Sequence, residues 1–248
     1  MVETGTDDAL GVLDRMTLIL EAFGDDDRGL GISELAARAG LPKSTVSRLV
    51  STLVRQRYLE REGRRFQLGL RLFEMGQLAQ EPRELRHAAL PVLTSLRART
   101  HESVHLAIRD GDEMVCIAAM RGRPESPLVV RTGGRLPLHA TALGKAALAH
   151  TLDSDLDALA ADGLESWTPE TMTDLERLAR QLAGIRAGKP AVATQELFTG
   201  VSCVASPIFA AAGRVVGAVS VSGCAAGFDV DRLAPEVRAA ALAVARRL

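Results

Sequence analysis

Ile32-Ser-Glu-Leu-Ala-Ala-Arg-Ala-Gly-Leu-Pro-Lys-Ser-Thr-Val-Ser-Arg-Leu-Val-Ser-Thr-Leu53 decides the fold of the first part of the chain. Ser33 reads as an N-cap, because its hydroxyl can accept a bond from a first-turn amide. Leu35, Ala36 and Ala39 then share a helical face, and Gly40 stands where a left-handed C′ residue ends a helix. Leu41-Pro42 makes a turn, and a second helix begins near Lys43. Val46, Leu49, Val50 and Leu53 recur at i, i+3, i+4 and i+7, so one stripe packs inward. Ser44, Arg48, Ser51 and Arg55 fall on the opposite face, flanked by Thr45 and Thr52. The stretch is a helix–turn–helix with hydroxyls and an arginine outside.

That outer face suits a DNA groove. Short Ser and Thr side chains let the helix backbone approach base edges, and Arg48 can fork onto a guanine. Lys43 and the helix N-terminus suit a phosphate. Ser33, Lys43, Ser44, Thr45, Ser47 and Arg48 are therefore the expected contacts to double-stranded DNA. The alternative, a three-helix core fragment with a solvated polar face, explains less, because hydroxyl-rich faces are poor helix formers.

Charge points the same way. The chain of 248 residues has a formal net charge of −1. From Arg28 to Arg71 there are ten Lys and Arg against three Asp and Glu, and before Arg28 one against eight. A basic block coincident with the helix–turn–helix is the footprint of a duplex binder. The length allows two domains. No apolar run reaches membrane-spanning length. The acidic start lacks the basic segment of a secretory signal. Cys116, Cys203 and Cys224 are odd in number and widely spaced, which suggests reduced thiols in a cytoplasm rather than a disulfide or metal framework.

Outward from the motif, residues before Asp8 read as a loose tail. Leu10, Leu13, Met16, Thr17, Leu20 and Phe23 make an amphipathic first helix that Asp25-Asp26-Asp27 breaks. Tyr58 to Arg61 and Arg65 to Leu68 are short strands joined through Glu62-Gly63-Arg64. This hairpin is a wing, with Arg61, Arg64 and Arg65 in reach of backbone phosphates. Leu70 to about Gln80 is a linker helix that Glu81-Pro82 ends, and it carries more apolar residues than one face needs, as if a partner subunit covered the rest. A helix from Pro82 to Thr100 contains Pro91, which implies a kink or break.

The period then changes to two. Ser103 to Asp110, Glu113 to Met120, Leu128 to Arg131, Ala191 to Gln195, Ser202 to Ala210 and Arg214 to Ser222 read as strands. Asp110-Gly111-Asp112 is a hairpin turn. Thr141 to Leu152, Asp153 to Ala161, Thr173 to Ala187 and Leu233 to Leu248 read as helices. Hairpin strands with inserted helices mean an α+β fold. The expected organisation is a winged helix–turn–helix at 8–69, a linker helix at 70–81 and an effector-binding and oligomerisation domain at 82–248.

Four stretches stand out in order along the chain: the winged helix–turn–helix; Ser103-Val-His-Leu-Ala-Ile-Arg-Asp-Gly-Asp-Glu; Leu136-Pro-Leu-His-Ala-Thr-Ala-Leu-Gly-Lys-Ala; and Gly200-Val-Ser-Cys-Val-Ala-Ser-Pro-Ile-Phe with Val216-Gly-Ala-Val-Ser-Val-Ser-Gly. In these stretches and in their order the chain resembles the IclR family of bacterial transcription regulators. The resemblance implies a homodimer or a dimer of dimers (a homotetramer), a palindromic operator, and a C-terminal profilin- or GAF-like domain with a curved antiparallel sheet. It implies no cofactor and no catalysis, but a small-molecule effector, an organic acid, held by His139, Ala140, Thr141, Cys203, Ser220 and Ser222. Helix amides near Thr141 suit a carboxylate, and Ser220 and Ser222 alternate onto one face of a strand. Family members often carry an acidic residue about where Ala193 or Thr194 stands; here the nearest is Glu196. His101, His105 and His150 read as structural or surface residues.

Other classes are weaker. An enzyme would pair Cys203 as nucleophile with His139 as base, a geometry that sequence does not display. A metal-sensing regulator would draw on Cys116, Cys203, His101, His105 or His139, which are scattered. A constitutive architectural DNA binder leaves the long second domain unexplained. The reading is a ligand-responsive transcription factor, repressor or activator.

Overall fold

The computed structural model describes residues 10–24, 27–151, 156, 159, 161 and 163–248. The tail expected before Asp8, Asp25-Asp26 and most of the helix expected over Asp153–Ala161 lie outside the described residues. The chain divides into two compact units, residues 1–80 and 81–248. Among the described residues no helix is long and apolar enough to cross a membrane.

The first unit contains α1 (Val12–Glu21), α2 (Ile32–Ala39), α3 (Lys43–Arg55), β1 (Leu59–Glu62), β2 (Arg65–Leu68) and α4 (Leu70–Gly76). Its core is Ile19 of α1, Leu35, Ala36 and Ala39 of α2, the stripe Val46, Leu49, Val50 and Leu53 of α3, and Leu59 and Phe66 of the hairpin. Gly40 turns left-handed at φ 64° and ends α2. β1 and β2 pair antiparallel, and Leu30 bridges to Phe66 through two backbone bonds of 2.8 and 2.9 Å. The wing is thus held to the chain just before α2.

Three local expectations are corrected. Ser33 is not the N-cap of α2. Gly31 is, and Glu34 bonds back to the Gly31 amide at 2.7 Å, which already supplies the cap from the first turn. α1 buries Ile19 rather than Leu13, which is 75 % exposed, because the helix turns its Ile19 face onto α2 and α3. The break after α4 lies at residues 77–79, not at Glu81-Pro82, since α5 (Gln80–Thr100) already runs through Pro82. A proline in a first helical turn removes no internal hydrogen bond. The helix also continues past Pro91.

The second unit is a six-stranded antiparallel sheet with helices on both faces. Its strands are β3 (Ser103–Asp110), β4 (Glu113–Met120), β5 (Arg135–Pro137), β6 (Ala191–Thr194), β7 (Val201–Phe209) and β8 (Val215–Cys224), ordered β5-β4-β3-β8-β7-β6. Register shifts at Leu106/Ala107 and Ile208/Phe209 mark irregularities that bend such strands. One face packs Val104, Leu106, Val204, Val219 and Val221 against α5 and the closing helix α8 (Val230–Ala245). The other packs small residues against α6 (Ala142–Leu148) and α7 (Leu175–Arg186). Residues 128–131 are not a strand. The edge partner of β4 is Arg135–Pro137, where Arg135 pairs with both Asp110 at 2.7 Å and Glu113 at 3.0 Å. α8 starts at Val230, earlier than Leu233, because Asp229 caps it onto the Arg232 amide at 3.0 Å.

Candidate DNA-reading surface and effector cavity

α3 presents Lys43, Ser44, Ser47 and Arg48 as exposed residues, with Thr45 half-buried at the edge of the stripe. The Ser51 hydroxyl is drawn back onto the Ser47 carbonyl at 2.9 Å, so the outward polar groups concentrate in the first two turns of the helix. These are the turns that meet base edges when such a helix lies in a major groove. Ser33 is exposed in the first turn of α2. In the wing, Arg64 is exposed, while Arg61 folds onto the Gly63 carbonyl at 2.9 Å and lies over the Phe66 ring. Arg65 bonds the Gly29 carbonyl and stands 3.6 Å from Glu34. It braces the wing against the chain entering α2, so part of its charge is already used. Arg38 is paired at both nitrogens with Asp27, which trims the basic block at its far side.

The second unit contains a narrow cavity with an accessible volume of about 20 Å³. Its floor is the small-residue face of the sheet. Cys203 of β7 lies opposite Ser222 of β8 and Ala193 of β6, and Ser220 lies opposite His105 of β3. Ala, Cys and Ser leave room there that Val or Leu would fill. The roof is the first turn of α6 with Ala140 and Thr141, and Val129, Val130, Leu136, Leu143 and Leu197 give aliphatic walls. α6 approaches closely because residue 144 is glycine. A Cβ there would stand 2.3 Å from the Leu138 carbonyl oxygen. The Thr141 hydroxyl caps α6 on the Gly144 amide at 3.0 Å and donates to the Pro137 carbonyl at 2.7 Å. It is committed to the turn. The amides of Ala142 and Leu143 have no intrahelical acceptor, as in any first turn.

His105 is buried, and its Nδ1 stands 3.2 Å from the Ser222 hydroxyl. Its Nε2 has no hydrogen-bond partner among the described residues. Burial pushes its pKa down to about 4, so the ring is neutral near pH 7. Burial also pushes the Cys203 thiol up to about 12, which keeps it protonated and a poor nucleophile. Above the floor Lys145, wholly buried, meets Glu196 Oε1 at 2.5 Å. Burial lowers the Lys145 pKa, and the Glu196 carboxylate opposes that shift. Glu196 lines the cavity, and its Oε2 is buried without a hydrogen-bond partner among the described residues. Two hydroxyls clasp the loop that carries Glu196. Thr168 donates to the Gln195 carbonyl and Thr171 to the Glu196 carbonyl, both at 2.6 Å.

The two units match two family models of bacterial regulators, the IclR helix-turn-helix domain over residues 12–63 and the IclR C-terminal domain over residues 77–248. The chain belongs to the IclR family of bacterial transcriptional regulators. It is 34% identical over 243 residues to the HTH-type transcriptional regulator XynR of Escherichia coli, covering 95% of this chain and 96% of that protein. It is 31% identical over 223 residues to the transcriptional repressor AllR of Klebsiella pneumoniae, covering 89% and 82%. An IclR homologue from Microbacterium hydrocarbonoxydans, solved in complex with 4-hydroxybenzoate, superposes with a TM-score of 0.89 at 28% identity, covering 96% of this chain and 99% of that one.

Of the residues expected in this IclR-family effector site, Ala140, Thr141, Cys203, Ser220 and Ser222 line one cavity. His139 does not. It is turned away to donate from Nε2 to the Glu165 carbonyl at 2.9 Å and to lie against Trp167, with ring centroids 5.2 Å apart. No bond joins it to Cys203, so the nucleophile–base pair weighed above is not formed among the described residues. Nor do three His, Cys, Asp or Glu side chains gather there in a way that could hold a metal. Sequence reading missed His105 as a cavity residue. The available signal was its place on the same strand face as Ser103, but its pairing with Ser220 is set across more than a hundred residues. Glu196 and Lys145 were missed as a pair for the same reason.

Proposed function

We propose that this regulator binds a palindromic operator as a homodimer, or a dimer of dimers, and that a small organic acid in the cavity changes its operator affinity. The observation that carries the effector reading is the polar floor in an otherwise aliphatic cavity. Ser220, Ser222 and the unpaired His105 Nε2 converge beside the first turn of α6. Hydroxyls, amides and imidazole N–H groups all donate to a carboxylate. The homologue complexed with 4-hydroxybenzoate makes that acid the first probe. Dimerisation is supported by the apolar exposure of the first unit, where Leu13 of α1 is 75 %, Phe73 of α4 64 % and Leu78 76 % exposed. Such a surface is costly to leave in water. The reading assigns no catalysis, no cofactor and a cytoplasmic site of action.

A ligand shifts DNA affinity only through its different affinity for the two states. The test is operator binding by the full chain with and without 4-hydroxybenzoate and related acids. Expected are a dimer or larger by light scattering and an operator affinity that moves with acid concentration. Arg48→Ala should cost roughly 1–3 kcal/mol at the cognate site and relax specificity there, whereas Lys43→Ala should weaken all duplexes alike. An Arg48→Ala loss equal on cognate and random DNA rejects base reading by this residue.

A further inference from the structure

We infer that Glu196 reads a hydrogen-bond donor on the effector, so that the cavity selects acids that also carry a hydroxyl group. The inference rests on the effector reading above and adds to it the chemical class of the ligand. Glu196 is 7 % exposed, and its two oxygens have different fates. Glu196 lines the cavity; its Oε1 takes the Lys145 ammonium at 2.5 Å, while its Oε2 is buried without a hydrogen-bond partner among the described residues. A buried acceptor left unpaired is costly, and a ligand donor that satisfies it recovers that cost.

The surroundings assign the donor and the acid to different places. Ser220 can donate, and where Ser222 donates to His105 Nδ1 the ring keeps its proton on Nε2 and can donate from there, so a carboxylate belongs with them. Glu196 in its ionised form can only accept, and it repels a second carboxylate. Lys145 balances the Glu196 charge, so an entering acid meets no net negative wall. Neither partner is free to swing away. Lys145 sits on a helix held at the Leu138 backbone, and Thr168 and Thr171 pin the Glu196 loop. The loop is further closed by Gln195, whose Oε1 accepts the Gly200 amide at 2.9 Å. His139, displaced from the floor, contributes from outside. It holds Glu165 and Trp167, the segment that carries Thr168. The aliphatic walls suit the carbon skeleton of a small acid between the two polar ends.

The test uses matched acids that differ by one hydroxyl: 4-hydroxybenzoate and benzoate, 3-hydroxybenzoate and benzoate, mandelate and phenylacetate, lactate and propionate. Each is titrated calorimetrically into the full wild-type chain and into a Lys145→Met/Glu196→Met double variant. The double change removes both charges at similar volume, a replacement that buried ion pairs commonly tolerate. The expected result is at least about a tenfold preference for the hydroxylated member of one or more pairs in wild type, falling to near unity in the variant. Should the double variant not fold, Glu196→Asp is read instead. It keeps the charge, withdraws the oxygen by one methylene and should reduce the same ratio. Equal affinity within every pair, or a preference that survives the substitution, overturns the role of Glu196 and leaves the effector cavity standing. If no acid of the panel binds or moves operator affinity, the effector reading itself fails and this inference with it.

Discussion

The two faces of the second unit's sheet are made by alternate residues of the same strands, yet only one is filled. On the α5/α8 face, Val104, Leu106, Val204, Val219 and Val221 are all fully buried in close packing. On the α6 face, the neighbours in those strands are Ser103, His105, Cys203, Ser220 and Ser222, and a cavity opens over most of them. A strand alternates its side chains whatever their size. Function is therefore written here as missing volume and unpaired polar atoms on one face, with stability supplied by the other.

That contrast can be broken at several points. The largest expected effect is on the packed face, where Leu106→Ala should cost about 2–5 kcal/mol in denaturant unfolding. A loss below about 1 kcal/mol would mean that this face is no better packed than the cavity side.

The second concerns acid. His105 titrates at about 4 in the fold against 6.5 unfolded. The unfolded chain therefore takes up a proton that the folded chain refuses. Stability should fall as pH drops from about 6.5 towards 4, by roughly 3 kcal/mol at most from this group. His139 is lowered in the same direction by burial and adds to the slope. His105→Gln should flatten the dependence relative to wild type; parallel pH profiles for the two proteins would sink the assignment.

Third, Ser222→Val should still fold, at some cost in stability because buried His105 Nδ1 loses its partner, and should lose about 1.5–3 kcal/mol of acid affinity, roughly ten- to a hundredfold, with operator binding in the absence of acid little changed. A folded variant that responds at the same acid concentration would make Ser222 a structural strand residue. The smallest effect is in thiol labelling of the native chain. Exposed Cys224 should react first, and buried Cys116, whose thiol burial pushes up to about 11, should react only on unfolding. Cys203 should label slowly and be protected by a cavity ligand.

Local periodicity made α3 legible residue by residue. Its stripe of Val46, Leu49, Val50 and Leu53 is buried and its hydroxyls and Arg48 lie outside, because a helix couples residues only three and four apart. β3 and β4 were legible for the same reason, with period two and a Gly111 turn. Caps and breaks were less so. Ser33, Pro82 and Leu128–Arg131 each met a competitor that local propensity does not weigh: the Glu34 back-bond to Gly31, the tolerance of a first turn for proline, and the paired Arg135 edge. The residue types of the cavity were visible in the chain, but not which of them would share it. His105 meets Ser220 and Ser222 through strand register, and Lys145 meets Glu196 because α6 closes on the loop after β6. Such pairings sum many weak contacts between distant segments. Only the folded chain decides that His105 lines the cavity while His139 turns away, and that one oxygen of Glu196 is buried without a partner among the described residues.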